Sequence, residues 1–182
     1  MQITSDSLRP FPSLDTLRLT NTDFHWLRPI IPHINLKSLY IGGTWEGWHP
    51  WENVIIDITM VAKWFSNLTV LTLDCDWQCD WQTSTPQVVL RHVKSLCIRS
   101  SAITNVHGLT PHVLFPNLTK ISNRGKNMDG LVTLVQAWGE SVETLVLSGL
   151  EPYGDSSQHL SEILGDSGKL PRLSKLVFLD IT

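Results

Sequence analysis

Apolar residues recur along this chain in one six-residue pattern, L-x-x-L-x-L, in which the last two apolar positions flank a single outward one. Its copies are Leu14/Leu17/Leu19, Leu36/Leu39/Ile41, Leu68/Leu71/Leu73, Val93/Leu96/Ile98, Leu118/Ile121, Val142/Leu145/Leu147 and Leu173/Leu176/Phe178. Successive first positions lie 22, 32, 25, 25, 24 and 31 residues apart. Alternation of this kind is the period of a strand that buries one face and exposes the other. It places strands near 14–20, 36–42, 68–74, 93–99, 118–122, 142–148 and 173–179. The fifth copy departs from the pattern because its last inward position is Asn123. A buried amide costs ~1–3 kcal/mol unless it is hydrogen-bonded. Either Asn123 is paired with its neighbours or that strand stops at Ser122.

The segments between strands carry a different period. Trp51, Val54, Ile55, Ile58, Val61, Ala62 and Phe65 fall at spacings of three and four, as do Leu131, Leu134, Val135 and Trp138, and more briefly Leu160, Ile163 and Leu164. Each set predicts a helix laid against the sheet. Pro29, Pro32, Pro111 and Pro116 oppose helices in the first and fourth connections, because proline lacks an amide donor and clashes with the preceding turn. Phe11-Pro12, Phe115-Pro116 and Leu170-Pro171 end the return segments and aim the chain into the next strand.

A unit of this length exposes an apolar side that only a neighbouring copy covers, so the recurrence predicts a leucine-rich repeat array. The expected fold is an α/β, right-handed solenoid, or horseshoe, of about seven repeats across residues 1–182. A single parallel sheet would line the concave face, with helices and irregular turns on the convex face. The outward positions then form ladders: Arg18, Tyr40, Thr72, Cys97, Ser122, Val146 and Val177 on one row, and Thr20, Gly42, Asp74, Arg99, Arg124, Ser148 and Leu179 on the next. Arg18, Tyr40, Thr72, Arg99 and Arg124 are the candidate partner-binding residues of that face, because charged and aromatic side chains supply directional contacts.

Two tryptophan-rich connections offer a second candidate. Trp45, Trp48 and Trp51 recur every three residues, and Cys75-Asp76-Trp77-Gln78 is followed at once by Cys79-Asp80-Trp81-Gln82. Adjacent repeats set equivalent loops side by side, so Trp45, Trp48, Trp51, Trp77 and Trp81, with Glu46, Glu52, Asp76 and Asp80, would form an acidic aromatic rim. The same tryptophans are equally suited to closing the edge of the core.

Composition narrows the function classes. Apolar residues make up 42% of the chain and charged ones 17%, which suits a folded domain. The formal charge of −3 and the absence of any basic run along the sequence argue against a nucleic-acid partner. The longest apolar stretch, residues 54–65, is interrupted by Asp57 and Lys63 and is too short to span a bilayer. Three cysteines and no secretory leader fit the cytoplasm or nucleus. Asn67-Leu68-Thr69 and Asn117-Leu118-Thr119 match the glycosylation acceptor pattern, but both overlap repeat leucines and read as structural.

No catalytic or metal constellation emerges, and no cofactor is implied. Cys75 and Cys79 with His49 or His92 lack a second ligand pair at zinc-finger spacing. Gly165-Asp166-Ser167-Gly168-Lys169 has Ile163 where a phosphate-binding loop needs glycine, so it reads as a helix cap and turn.

The phrases FPSLDTLRLT, FSNLTVLTLDCDW, HVKSLCIRS, FPNLTKI, SVETLVLSGLE and LPRLSKLVFLD resemble the leucine-rich repeat part of fungal F-box proteins, over about Phe11 to Thr182. The resemblance implies a non-enzymatic protein-recognition module, the substrate-binding part of an F-box-type ubiquitin-ligase adaptor. In that family an F-box of a few packed helices docks on a Skp-type adaptor. None is visible before the first strand, and no polar cap follows the last one, so the chain reads as truncated at both ends, and such an adaptor is a partner only if an F-box lies outside it. The alternative is a structural or regulatory scaffold, such as the repeat region of a receptor. Partners of nucleic acid or membrane are not expected.

Overall fold

A computed structural model of the protein describes residues 13–20, 35–42, 54–55, 58–74, 77–78, 87–99, 110–124, 128–149, 156–165 and 169–179. Strands β1 (Thr16–Thr20), β2 (Ser38–Gly42), β4 (Val70–Asp74), β7 (Ser95–Arg99), β9 (Lys120–Arg124), β10 (Thr144–Ser148) and β11 (Lys175–Leu179) are the seven that alternation predicts. They form one seven-stranded sheet in chain order, and every neighbouring pair is parallel. Between them lie β3 (Val54–Ile55), α1 (Ile58–Trp64), β5 (Trp77–Gln78), β6 (Val88–Val89), β8 (Val113–Leu114), α2 (Asp129–Trp138) and α3 (Ser156–Gly165).

Each strand starts two residues after the leading apolar residue of its repeat, and the backbone shows why. The carbonyl of Asp15 accepts from the amides of both Lys37 and Ser38, and that of Lys37 accepts from Thr69 and Val70. The same fork recurs from Thr69 to Lys94 and Ser95, from Lys94 to Thr119 and Lys120, from Thr119 to Glu143 and Thr144, and from Glu143 to Ser174 and Lys175. One acceptor shared by two consecutive amides turns the chain into the ladder, so pairing begins only beyond it. Side chains brace the same step: Thr69, Thr119 and Ser174 hydroxyls donate to the carbonyls of Lys37, Lys94 and Glu143 at 3.0, 3.3 and 3.2 Å.

Burial of the inward positions falls off sharply at β11. Inward residues of the inner strands, from Leu39 and Ile41 to Leu145 and Leu147, are at most 2% exposed. On β11, Leu176 and Phe178 occupy the same register positions yet are 36% and 41% exposed. Their sequence is as apolar as that of β10. What differs among the described residues is that no further strand lies alongside.

The fifth strand runs to Arg124, past the early stop at Ser122 that was one of the two expectations. Asn123 points inward and is buried, aligned with Ile98 and Leu147, and it is not without a partner. Its carbonyl accepts from the Ser148 hydroxyl at 3.5 Å.

Helices form in all three stretches where the spacing predicts them; α2 matches in full, and the other two differ in detail. Leu131, Leu134, Val135 and Trp138 are all buried at the expected spacing. Trp138 also ties α2 to the preceding connection: its indole N–H donates to the Val113 carbonyl at 3.3 Å, and its ring meets Phe115 edge-on at 4.8 Å. In α3, Ile163 is buried, Leu160 partly so, and Leu164 is exposed, so that stripe is narrower than its spacing implied. Helix α1 begins only at Ile58, because Val54 and Ile55 pair in parallel with Trp77 and Gln78 as a two-stranded ribbon. β-Branched residues are suited to either state, and the ribbon supplies backbone partners that a first helical turn would leave unmet. A matching ribbon joins β6 to β8.

Candidate functional site: the outward face of the sheet

Because the ladder is in register, outward residues from distant parts of the chain become neighbours. Arg18, Tyr40, Thr72, Cys97, Ser122, Val146 and Val177 align across all seven strands. Arg18 and Tyr40 touch directly: the guanidinium carbon stands 4.2 Å from the ring centroid, a cation–π contact. Tyr40 then crosses to the next strand, its hydroxyl donating to Asp74 Oδ2 at 2.7 Å. Gly42 permits this path. It is buried under the Tyr40 ring, and a Cβ there would fall within contact distance of the ring atoms. Asp74 was not among the residues singled out from sequence, although its alternating position marked it as outward.

Burial and the Asp74 carboxylate raise the Tyr40 hydroxyl above its ordinary pKa of 10.0, and the Arg18 charge opposes them. A neutral phenol that donates to a carboxylate is thereby favoured. Thr72, half-buried, lies between Tyr40 and Cys97 in the row. Cys97 is a free, half-buried thiol whose pKa burial pushes up, partly offset by the Arg124 and Lys120 charges.

Arg99 and Arg124 occupy the next row as register partners on β7 and β9. Lys120 lies at the other end of β9, exposed like Arg124, on an outward row that was not among the sequence candidates. Thus Arg18, Tyr40 and Thr72 form one contiguous group, and Arg99 and Arg124 a second group beside it.

The tryptophan rim is only partly accounted for. Trp77 lies in β5, which pairs with β3 and so joins the two consecutive connections as expected. Trp45, Trp48, Trp51 and Trp81 lie outside the described residues.

Among the described residues, no group of three or more His, Cys, Asp or Glu is placed to hold a metal ion, and no helix is long and apolar enough to cross a membrane. Comparison with protein-family models, with curated proteins and with solved structures finds no match.

Proposed function

We propose that the chain is a leucine-rich repeat solenoid whose outward sheet face recognises another protein, without catalysis. The observation that carries this reading is the in-register outward face of seven adjacent parallel strands, with Arg18, Tyr40 and Asp74 already organised on it. The six-fold repetition of the forked backbone bond supports the repeat architecture, since each copy meets the next through the same step. A rigid sheet holds side chains at fixed spacing, so less entropy is lost when a partner docks.

Within this reading, Arg18, Tyr40, Thr72, Arg99 and Arg124 contact the partner, and Trp45, Trp48, Trp77 and Trp81 extend the surface along one rim. The resemblance to fungal F-box proteins makes a ubiquitin-ligase substrate adaptor of the cytoplasm or nucleus the role that fits best. The test is proximity labelling in cells with wild-type protein and with Tyr40→Ala/Thr72→Arg. Proteins lost from the variant's neighbourhood while its thermal unfolding is unchanged would be partners of this face. Identical labelling by both proteins would end the reading. The ligase role is tested separately, by whether the full-length product of the gene co-purifies with a Skp-type adaptor.

A further inference from the structure

The linear sequence has no basic run, yet the fold assembles one. The outward rows include Thr16, Ser38, Val70, Ser95, Lys120, Thr144 and Lys175 as well as the two rows already described. Across the three rows, five charged residues are basic (Arg18, Arg99, Lys120, Arg124, Lys175) and one is acidic (Asp74), a formal +4 on a chain whose total is −3. Three of the five, Arg99, Lys120 and Arg124, sit on the adjacent strands β7 and β9.

Arg99 and Arg124 are register partners on these two strands. Lys120 and Arg124 are exposed, and among the described residues neither has an ion-pair partner. Their strand positions are four residues apart, ~13 Å along an extended chain, with the Ser122 hydroxyl position between them. Two exposed cations on one strand, without an ion-pair partner among the described residues, offer a matched pair of charges to an anion from outside.

Two features select the kind of anion. Next to the basic strands the same face turns apolar, through Val146, Val177 and the exposed Leu179. A peptide provides side chains for those positions, whereas a phosphodiester backbone does not. The remainder of the chain is also strongly negative, which repels a long polyanion at a distance.

We infer that strands β7 to β11 of the outward face receive an acidic protein segment in which carboxylates alternate with apolar side chains, the carboxylates pairing with Lys120 and Arg124. This rests on the protein-recognition reading above and specifies its partner by charge.

The test is fluorescence anisotropy of the whole chain with a labelled peptide in which Glu alternates with Val and Ser. A peptide with Lys in place of Glu and an oligouridylate of matching length serve as comparisons. The Glu peptide should bind, and Lys120→Glu/Arg124→Glu should weaken it by about tenfold or more, with a steep dependence on salt. Lys63→Glu, on α1 outside these rows, should leave binding unchanged. Tighter binding of the oligouridylate through the same two residues would overturn the inference, as would peptide binding that is absent or insensitive to the double reversal. If Tyr40→Ala/Thr72→Arg alters proximity labelling while Lys120→Glu/Arg124→Glu does not, only the acidic-partner inference falls. If neither changes it, the recognition face falls too.

Discussion

The Tyr40 hydroxyl donates to Asp74 Oδ2 at 2.7 Å, so a side chain on the second strand of the sheet is anchored to the third. The bond depends on Gly42, over which the ring lies. Gly42→Ala should displace the ring, because its new Cβ would overlap ring atoms. The far end of a partly exposed side chain has room to swing, so the stability cost should be modest, about 1 kcal/mol or less. Loss of the Tyr40–Asp74 bond would be read from a downward move of the Tyr40 titration. An unchanged titration would mean that the ring and a Cβ at 42 coexist.

Tyr40 ionisation gives a pH signature. Its folded pKa is raised first by burial and then by Asp74, so the linked stability is fully present below the ordinary value of 10.0 and is lost as pH rises through the raised value. The chain has only two tyrosines, so in a Tyr153→Phe background the tyrosinate absorbance reports Tyr40 alone. Its midpoint should lie above 10.0 and should fall with Asp74→Asn, since both the acceptor charge and the hydrogen bond are weakened. A midpoint that Asp74→Asn leaves in place would leave burial as the whole cause.

Gly139→Ala should be more damaging than Gly42→Ala. Gly139 ends α2 with a helical backbone, so conformational freedom is not at stake. Space is: a Cβ there would collide with the Lys169 carbonyl and press on Val135. Backbone cannot swing aside as a tyrosine ring does, and the contact joins α2 to the turn before β11. We expect a loss of about 1–3 kcal/mol in denaturant unfolding. A loss within experimental error would show that the 169–170 turn shifts freely.

Truncations of two aligned residues should differ sharply. Leu147 on β10 and Phe178 on β11 are register partners, but Leu147 is fully buried and Phe178 is 41% exposed. Leu147→Ala should cost about 2–5 kcal/mol, including the cavity term. Phe178→Ala should cost about 1 kcal/mol or less, although more surface is deleted. Equal losses in chemical unfolding would mean that β11 is covered in solution.

The strands were legible from the sequence because inward positions on a half-buried strand repeat every second residue, and Leu17/Leu19 or Leu145/Leu147 need no tertiary information to be recognised. Helix α2 was legible for the same reason at its own period. Helix α1 was legible from Ile58 onward, but residues 54–55 were not, since Val54 and Ile55 fit a helical stripe and an extended ribbon equally well. Their state was decided by a partner, Trp77-Gln78, that the sequence places more than twenty residues away.

Arg18, Tyr40, Thr72, Arg99 and Arg124 could be assigned to the outward face from alternation alone. Which of them meet could not. That Tyr40 folds over Gly42 toward Asp74, that Lys120 joins Arg99 and Arg124, and that Asn123 is held inside a complete strand are all consequences of register between repeats. The chain's periodicity determined which face each residue takes, because that depends only on local backbone geometry. The tertiary structure decided which residues become neighbours and how deeply they are buried, because both depend on the strands placed alongside.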